Sequence, residues 1–88
     1  MPEVIFAPES LSELNEWTKT KCRIATKILD LIANCLDTPF EGLGKPEALK
    51  YNLTGYWSRR IDEGNRLVYC VTEGNIEIYS CKGHYDGQ

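Results

Sequence analysis

The chain has one histidine, one methionine and no apolar run near the ~18 residues that cross a bilayer, so a helical membrane anchor is not expected. Its four cysteines (Cys22, Cys35, Cys70 and Cys81) show no CxxC spacing. With His84 as the one imidazole, a zinc centre lacks a ligand set, and no metal or cofactor is expected. Small buried thiols in a reducing compartment are the simpler reading of the cysteines. A basic surplus is also missing: the net charge is −3, unlike that of most dedicated nucleic-acid binders. The acidic start, Met1-Pro2-Glu3-Val4-Ile5-Phe6, is too short in apolar residues for a secretory signal, so cytoplasmic residence is expected. There are no repeats and no low-complexity segments. Eighty-eight residues predict one domain without a linker, small enough for docking with a partner or second copy to add stability.

What is present alternates clearly. Val4-Ile5-Phe6 reads as a short strand ended by Pro8. Ser10-Leu11-Ser12-Glu13 matches a capping box, and Leu11, Leu14 and Trp17 follow at helical spacing to about Thr18. A second helix starts near Lys21 with the stripe Ile24, Ile28, Leu31, Ile32 and Cys35, and Thr38-Pro39 ends it. Phe40 to Pro46 holds two glycines and reads as a surface connector. Three strands follow at about Tyr56–Ile61, Arg66–Thr72 and Ile76–Lys82, joined by turns rich in glycine and asparagine. The expected fold is α+β, β-α-α-β-β-β, with two helices on one face of an antiparallel sheet. Parity places Leu67, Tyr69 and Val71 toward the helices and leaves Arg66 on the open face.

Three residues stand out chemically. Glu47 lies in Lys45-Pro46-Glu47-Ala48-Leu49-Lys50, Arg66 opens a strand, and His84 follows the last one. Metal-free cleavage of RNA needs a base for the 2′-hydroxyl, an acid for the 5′-oxygen and charge stabilisation at phosphorus. A carboxylate, an imidazole partly protonated near neutrality and a guanidinium fork supply these in turn. Tyr85 suits base stacking or a phosphate hydrogen bond. Each also has a plainer reading: a helix-start charge for Glu47, a solvated strand opener for Arg66, an incidental histidine for His84. The segment Lys45 to Arg66 holds five basic residues, Lys45, Lys50, Arg59, Arg60 and Arg66, against three acidic ones, which points to a local basic patch.

From Thr38 to Tyr85 the pattern becomes specific. Thr38-Pro39-Phe40-Glu41-Gly42-x-Gly44-Lys45-Pro46-Glu47-x-Leu49-Lys50 leads to Asn52-Leu53-x-Gly55-x-Trp57-Ser58-Arg59-Arg60-Ile61. Arg66-Leu67-Val68-Tyr69 and His84-Tyr85 complete it. This closely resembles the Txe/YoeB toxins of bacterial toxin–antitoxin pairs, in the RelE/ParE superfamily. The resemblance implies a RelE-like fold and a ribosome-dependent mRNA endoribonuclease that inhibits translation, silenced by a YefM-like antitoxin of the Phd/YefM family. It implies Glu47 as general base, Arg66 as transition-state support, His84 as general acid and Tyr85 as a contributor. Lys50 would contact phosphate, joined in the expected RNA-binding set by Lys45, Arg59 and Arg60. Operator DNA would be met only through the antitoxin complex, and a homodimer is expected in some states. The family commonly ends at His-Tyr, whereas Asp86-Gly87-Gln88 follow here as a short extension. Two other functions fit such a scaffold: a ParE-like toxin blocking DNA gyrase without catalysis, and an inactive antitoxin-binding corepressor. The Glu47, Arg66 and His84 set favours the enzyme.

Overall fold

The computed structural model describes residues 2–84. Chain order is β1 (Val4–Phe6), α1 (Pro8–Thr20), α2 (Cys22–Asp37), β2 (Glu47–Ala48), a 3-10 turn at Tyr51–Leu53, β3 (Trp57–Arg60), β4 (Arg66–Thr72) and β5 (Asn75–Ser80). The α+β class expected from the sequence is the one observed, with three principal differences.

The first concerns the start of α1. Proline lacks an N–H and its fixed φ suits a first helical turn, so the helix begins at Pro8 with Ala7 as its cap. Ser10 and Glu13 are therefore not a capping box. The buried Ser10 hydroxyl donates to the carbonyls of Ala7 (2.8 Å) and Ile78 (3.1 Å), while a Glu13 carboxylate oxygen accepts from Cys81 N–H at 2.8 Å. Both side chains stitch α1 to the end of β5. The α2 stripe behaves as its period requires, burying Ala25, Ile28, Leu31, Ile32 and Cys35.

The second difference is in the sheet. Its order is β1-β5-β4-β3-β2, and β1 runs parallel to β5, so the sheet is mixed rather than antiparallel. Short turns dictate the β3-β4-β5 meander. No short turn ties β1 to another strand, so loop length says nothing about its direction. The two-residue β2 is an added edge strand, antiparallel to β3.

The core lies between α2 and the inner face of the sheet. Ile28, Leu31, Ile32 and Cys35 meet Leu67, Tyr69, Ile76 and Ile78, with Trp17 and Trp57 at the margins. Leu67 and Tyr69 thus face the helices as parity predicts. A register shift between Val68 and Tyr69, where β4 meets β5, marks a bulge. Tyr69 pairs with Ile78 and Val68 with Ser80, which leaves Tyr79 as the extra residue and returns Cys81 to the core. All four cysteines are free thiols; Cys35 and Cys81 are buried and Cys70 is half-buried. Cys22 is exposed, against expectation, because it opens α2 outside the apolar stripe.

The third difference is Arg59, expected at an RNA surface and found in the interior with no exposed area. All five of its N–H donors are used. Nε donates to the Tyr69 hydroxyl (3.1 Å), and NH1 to Asn34 Oδ1 (2.6 Å) and the Leu43 carbonyl (3.1 Å). NH2 donates to the carbonyls of Thr38 (2.6 Å) and Glu41 (3.0 Å). Strand parity explains the burial: Arg59 shares the inner face of β3 with Trp57 and stands opposite Leu67. The Phe40–Pro46 connector is consequently held down. A Cβ on Gly44, where φ is +79°, would sit 2.9 Å from Leu31 Cδ2 and 3.1 Å from the Arg60 carbonyl oxygen. Only glycine fits so close an approach.

Burial also sets an alkaline limit on stability. It raises the Cys81 thiol from 9.0 to about 12, helped by the neighbouring Glu13 carboxylate, and the Tyr69 phenol from 10.0 to about 12. Cys35 is raised by burial as well. Acids with folded-state pKa values above their unfolded ones hold protons more tightly when folded. Their contribution is intact below pH 9 and is lost as pH climbs toward 12. Urea midpoints measured between pH 7 and 11 should therefore fall above pH 9; a flat profile would contradict the buried-thiol and buried-phenol picture.

Candidate active site

The outer face of the sheet, away from the helices, bears the candidate residues Glu47 and Arg66. Directly paired residues share a face, so the register Glu47↔Ser58, Ser58↔Val68 and Val68↔Ser80 draws one row across four strands. Glu47 stands exposed at the β2 end of that row. Arg66 lies two residues from Val68 on the same face and pairs across the strands with Arg60. Two strand spacings and two residues of rise put the Glu47 and Arg66 Cα atoms on the order of 12 Å apart. A glutamate side chain, an extended arginine and a phosphate between them fill such a gap.

Arg66 is half-buried and held by its own turn. Its NH1 is shared among the carbonyls of Asp62 (2.6 Å), Asn65 (3.1 Å) and Glu63 (3.3 Å). Its Nε and NH2 make no hydrogen bond among the described residues, which leaves donors for an oxyanion. Asp62 Oδ1 shapes that turn by accepting from Gly64 N–H and Asn65 Nδ2, both at 3.0 Å.

The segment after β5 comes to the same corner. Cys81 is gripped by α1 from both sides, its N–H bonded to Glu13 and its carbonyl accepting from Trp17 Nε1 at 3.0 Å. Gly83 N–H donates to Asn65 Oδ1 (2.9 Å), and Arg66 N–H donates to the Gly83 carbonyl (2.8 Å). His84 is exposed and follows directly on the residue bonded to the Arg66 backbone. Tyr85 and the Asp86-Gly87-Gln88 extension lie outside the described residues.

The structure thus brings Glu47 and Arg66 to one face, sets His84 next to the residue bonded to the Arg66 backbone, and keeps Arg59 from that face. Lys45, Lys50 and Arg60 are exposed, with Lys45 in a left-handed conformation (φ +52°). Sequence reasoning missed Glu13, Trp17 and Asn65 as the groups that fix the end of β5. Only the strand-end position of Asn65 in a turn hinted at a role. Among the described residues, no group of three or more His, Cys, Asp or Glu side chains could hold a metal ion.

Residues 6–85 match the profile described as "YoeB-like toxin of bacterial type II toxin-antitoxin system". The chain belongs to the YoeB family. Toxin YoeB of Escherichia coli K12 is 49% identical over 83 residues, covering 94% of this chain and 99% of that protein. In structure, a YoeB/ParE toxin from Agrobacterium tumefaciens superposes with a TM-score of 0.91 at 44% identity, over 94% of this chain and 99% of the other. YoeB in the heterotetrameric YoeB-YefM toxin-antitoxin complex of Staphylococcus aureus superposes at 0.88 with 40% identity, over 97% and 99%. The YoeB likeness therefore extends through the two-helix half, beyond the motifs of residues 38–85.

Proposed function

We propose that this YoeB-family chain is a ribosome-dependent mRNA endoribonuclease, acting in the cytoplasm and blocking translation by cutting the message at the decoding site. The observation that carries the reading is the cross-strand pair Arg60↔Arg66 on the face that also bears Glu47. Like charges directly opposite each other cost stability unless an anion lies between them. An RNA phosphate is such an anion, and Glu47 and His84 flank it.

In this mechanism Glu47 takes the proton of the 2′-hydroxyl, which attacks phosphorus. Arg66, fixed by its turn, uses its remaining donors on the charge that builds at the phosphoryl oxygens. His84 gives a proton to the departing 5′-oxygen. Tyr85 steadies the nucleotide or phosphate beside it. Lys45, Lys50 and Arg60 hold flanking phosphates. Arg59 has no part in contacting RNA, because its donors are spent in the interior.

A YefM-like antitoxin is the partner, as in the Staphylococcus aureus heterotetramer, and the Staphylococcus aureus YoeB dimer supports a homodimer. Operator DNA is reached through the antitoxin complex. The test is to express the protein and map new 5′ ends across cellular mRNA. Cuts confined to translated codons support the reading. Growth arrest with intact mRNA and relaxed DNA would instead support the gyrase-blocking scaffold.

A further inference from the structure

Glu47 sits on a two-residue edge strand, and two residues of pairing hold little on their own. Leu49, buried and donating its N–H to the Tyr56 carbonyl at 2.9 Å, holds the strand from its far end, and the approach to Glu47 is set by what precedes it. That is the 38–44 loop, tied to α2, β3 and β4 through the backbone of Thr38, Pro39, Glu41, Leu43 and Gly44. Arg59 takes the carbonyls of Thr38, Glu41 and Leu43; Asn34 Oδ1 accepts from Leu43 N–H at 3.0 Å; Tyr69 O–H donates to the Pro39 carbonyl at 2.7 Å. The next residue of β3 finishes the anchoring, with Arg60 N–H donating to the Gly44 carbonyl at 2.7 Å. Only Lys45 and Pro46 separate that carbonyl from Glu47. Lys45 is held at φ +52°, a conformation that persists in a lysine only where its surroundings over-determine the path.

We infer that Arg59 is a positioning residue for phosphodiester cleavage, setting where Glu47 stands by holding the loop that delivers it. This rests on the reading of Glu47 as general base. The guanidinium suits the task because its five donors point in fixed directions and reach α2, the loop and β4 together. A lysine in its place has three donors on one nitrogen and cannot span these acceptors. Asn34 and Tyr69 complete the device, each joining Arg59 to the loop.

The test loosens the anchor without emptying the core. Tyr69→Phe removes the hydroxyl between Arg59 Nε and the Pro39 carbonyl, and Asn34→Ala removes the amide shared by Arg59 and Leu43. Initial rates of mRNA cleavage at varied concentrations of programmed ribosomes are measured per folded molecule, with folded fraction read by circular dichroism. Displacing a catalytic group by about 1 Å can cost 10²-fold, so kcat should fall by about 10- to 100-fold with KM changed by less than about three-fold. In a Glu47→Gln background the same Tyr69→Phe change should add no further loss, because the group it positions is gone. Unchanged kcat in folded Tyr69→Phe, or an equal loss repeated in the Glu47→Gln background, would overturn the inference. Full activity of Glu47→Gln alone would instead overturn the general-base reading, and this inference with it.

Discussion

Glu47→Gln should slow message cleavage by about 10²- to 10⁴-fold, the usual worth of a general base. The substitution keeps the size and planarity of the side chain and removes its ability to take a proton. Glu47 is exposed on an edge strand, so the fold should survive intact. His84→Gln and Arg66→Ala should each fall in a similar range, through loss of the acid and of oxyanion stabilisation respectively. The three losses should not multiply, since residues acting on one transition state work as a unit. Rates are read by single turnover on programmed ribosomes, with growth arrest as the cellular counterpart. Full toxicity in two of the three folded variants would end the assignment.

The second large effect is on stability. Arg59→Met should cost about 3 kcal/mol, because it removes a charged donor that joins five acceptors and leaves partly buried carbonyls unpaired. Tyr69 would still donate to the Pro39 carbonyl and Asn34 would still accept from Leu43 N–H. The carbonyls of Thr38, Glu41 and Leu43 lose their guanidinium donor outright, although Glu41 keeps the Thr38 hydroxyl. For a domain of this size the loss corresponds to a Tm lower by on the order of 15–20 °C. Arg60→Met, one residue on and exposed, should shift stability by about 0.5 kcal/mol or less while weakening RNA binding. Thermal unfolding of the two variants side by side separates the interior arginine from the surface one. Equal Tm values would contradict the burial of Arg59.

The contrast between Arg59 and Arg60 shows what a sequence displays and what it conceals. The bounds of β4, Arg66–Thr72, follow from its apolar run between two turns, and the α2 stripe follows from its period. Parity then places Arg66 outward, which carries half of the candidate site. The same parity, applied to Trp57 and Arg59, puts the arginine inward, but the charge suggested a surface. What reverses that is a set of backbone carbonyls 16 to 21 residues away, whose convergence only the folded loop creates. Ser10 and Glu13 mislead for a related reason. They carry the local pattern of a cap, but Pro8 starts the helix earlier and β5 supplies better partners. The strand β2 is too short and too exposed to leave a periodic mark. Its existence depends on the anchored loop before it and on pairing with β3.

The most direct test of the whole account is the chemistry of the ends produced by cutting a defined message on programmed ribosomes. Attack by the 2′-hydroxyl leaves a 2′,3′-cyclic phosphate or 3′-phosphate upstream and a 5′-hydroxyl downstream, and mass spectrometry of the fragments identifies them. A cyclic phosphate made by the parent chain and lost in Glu47→Gln is the result predicted. A 5′-phosphate product would mean hydrolysis by an activated water and would contradict the mechanism.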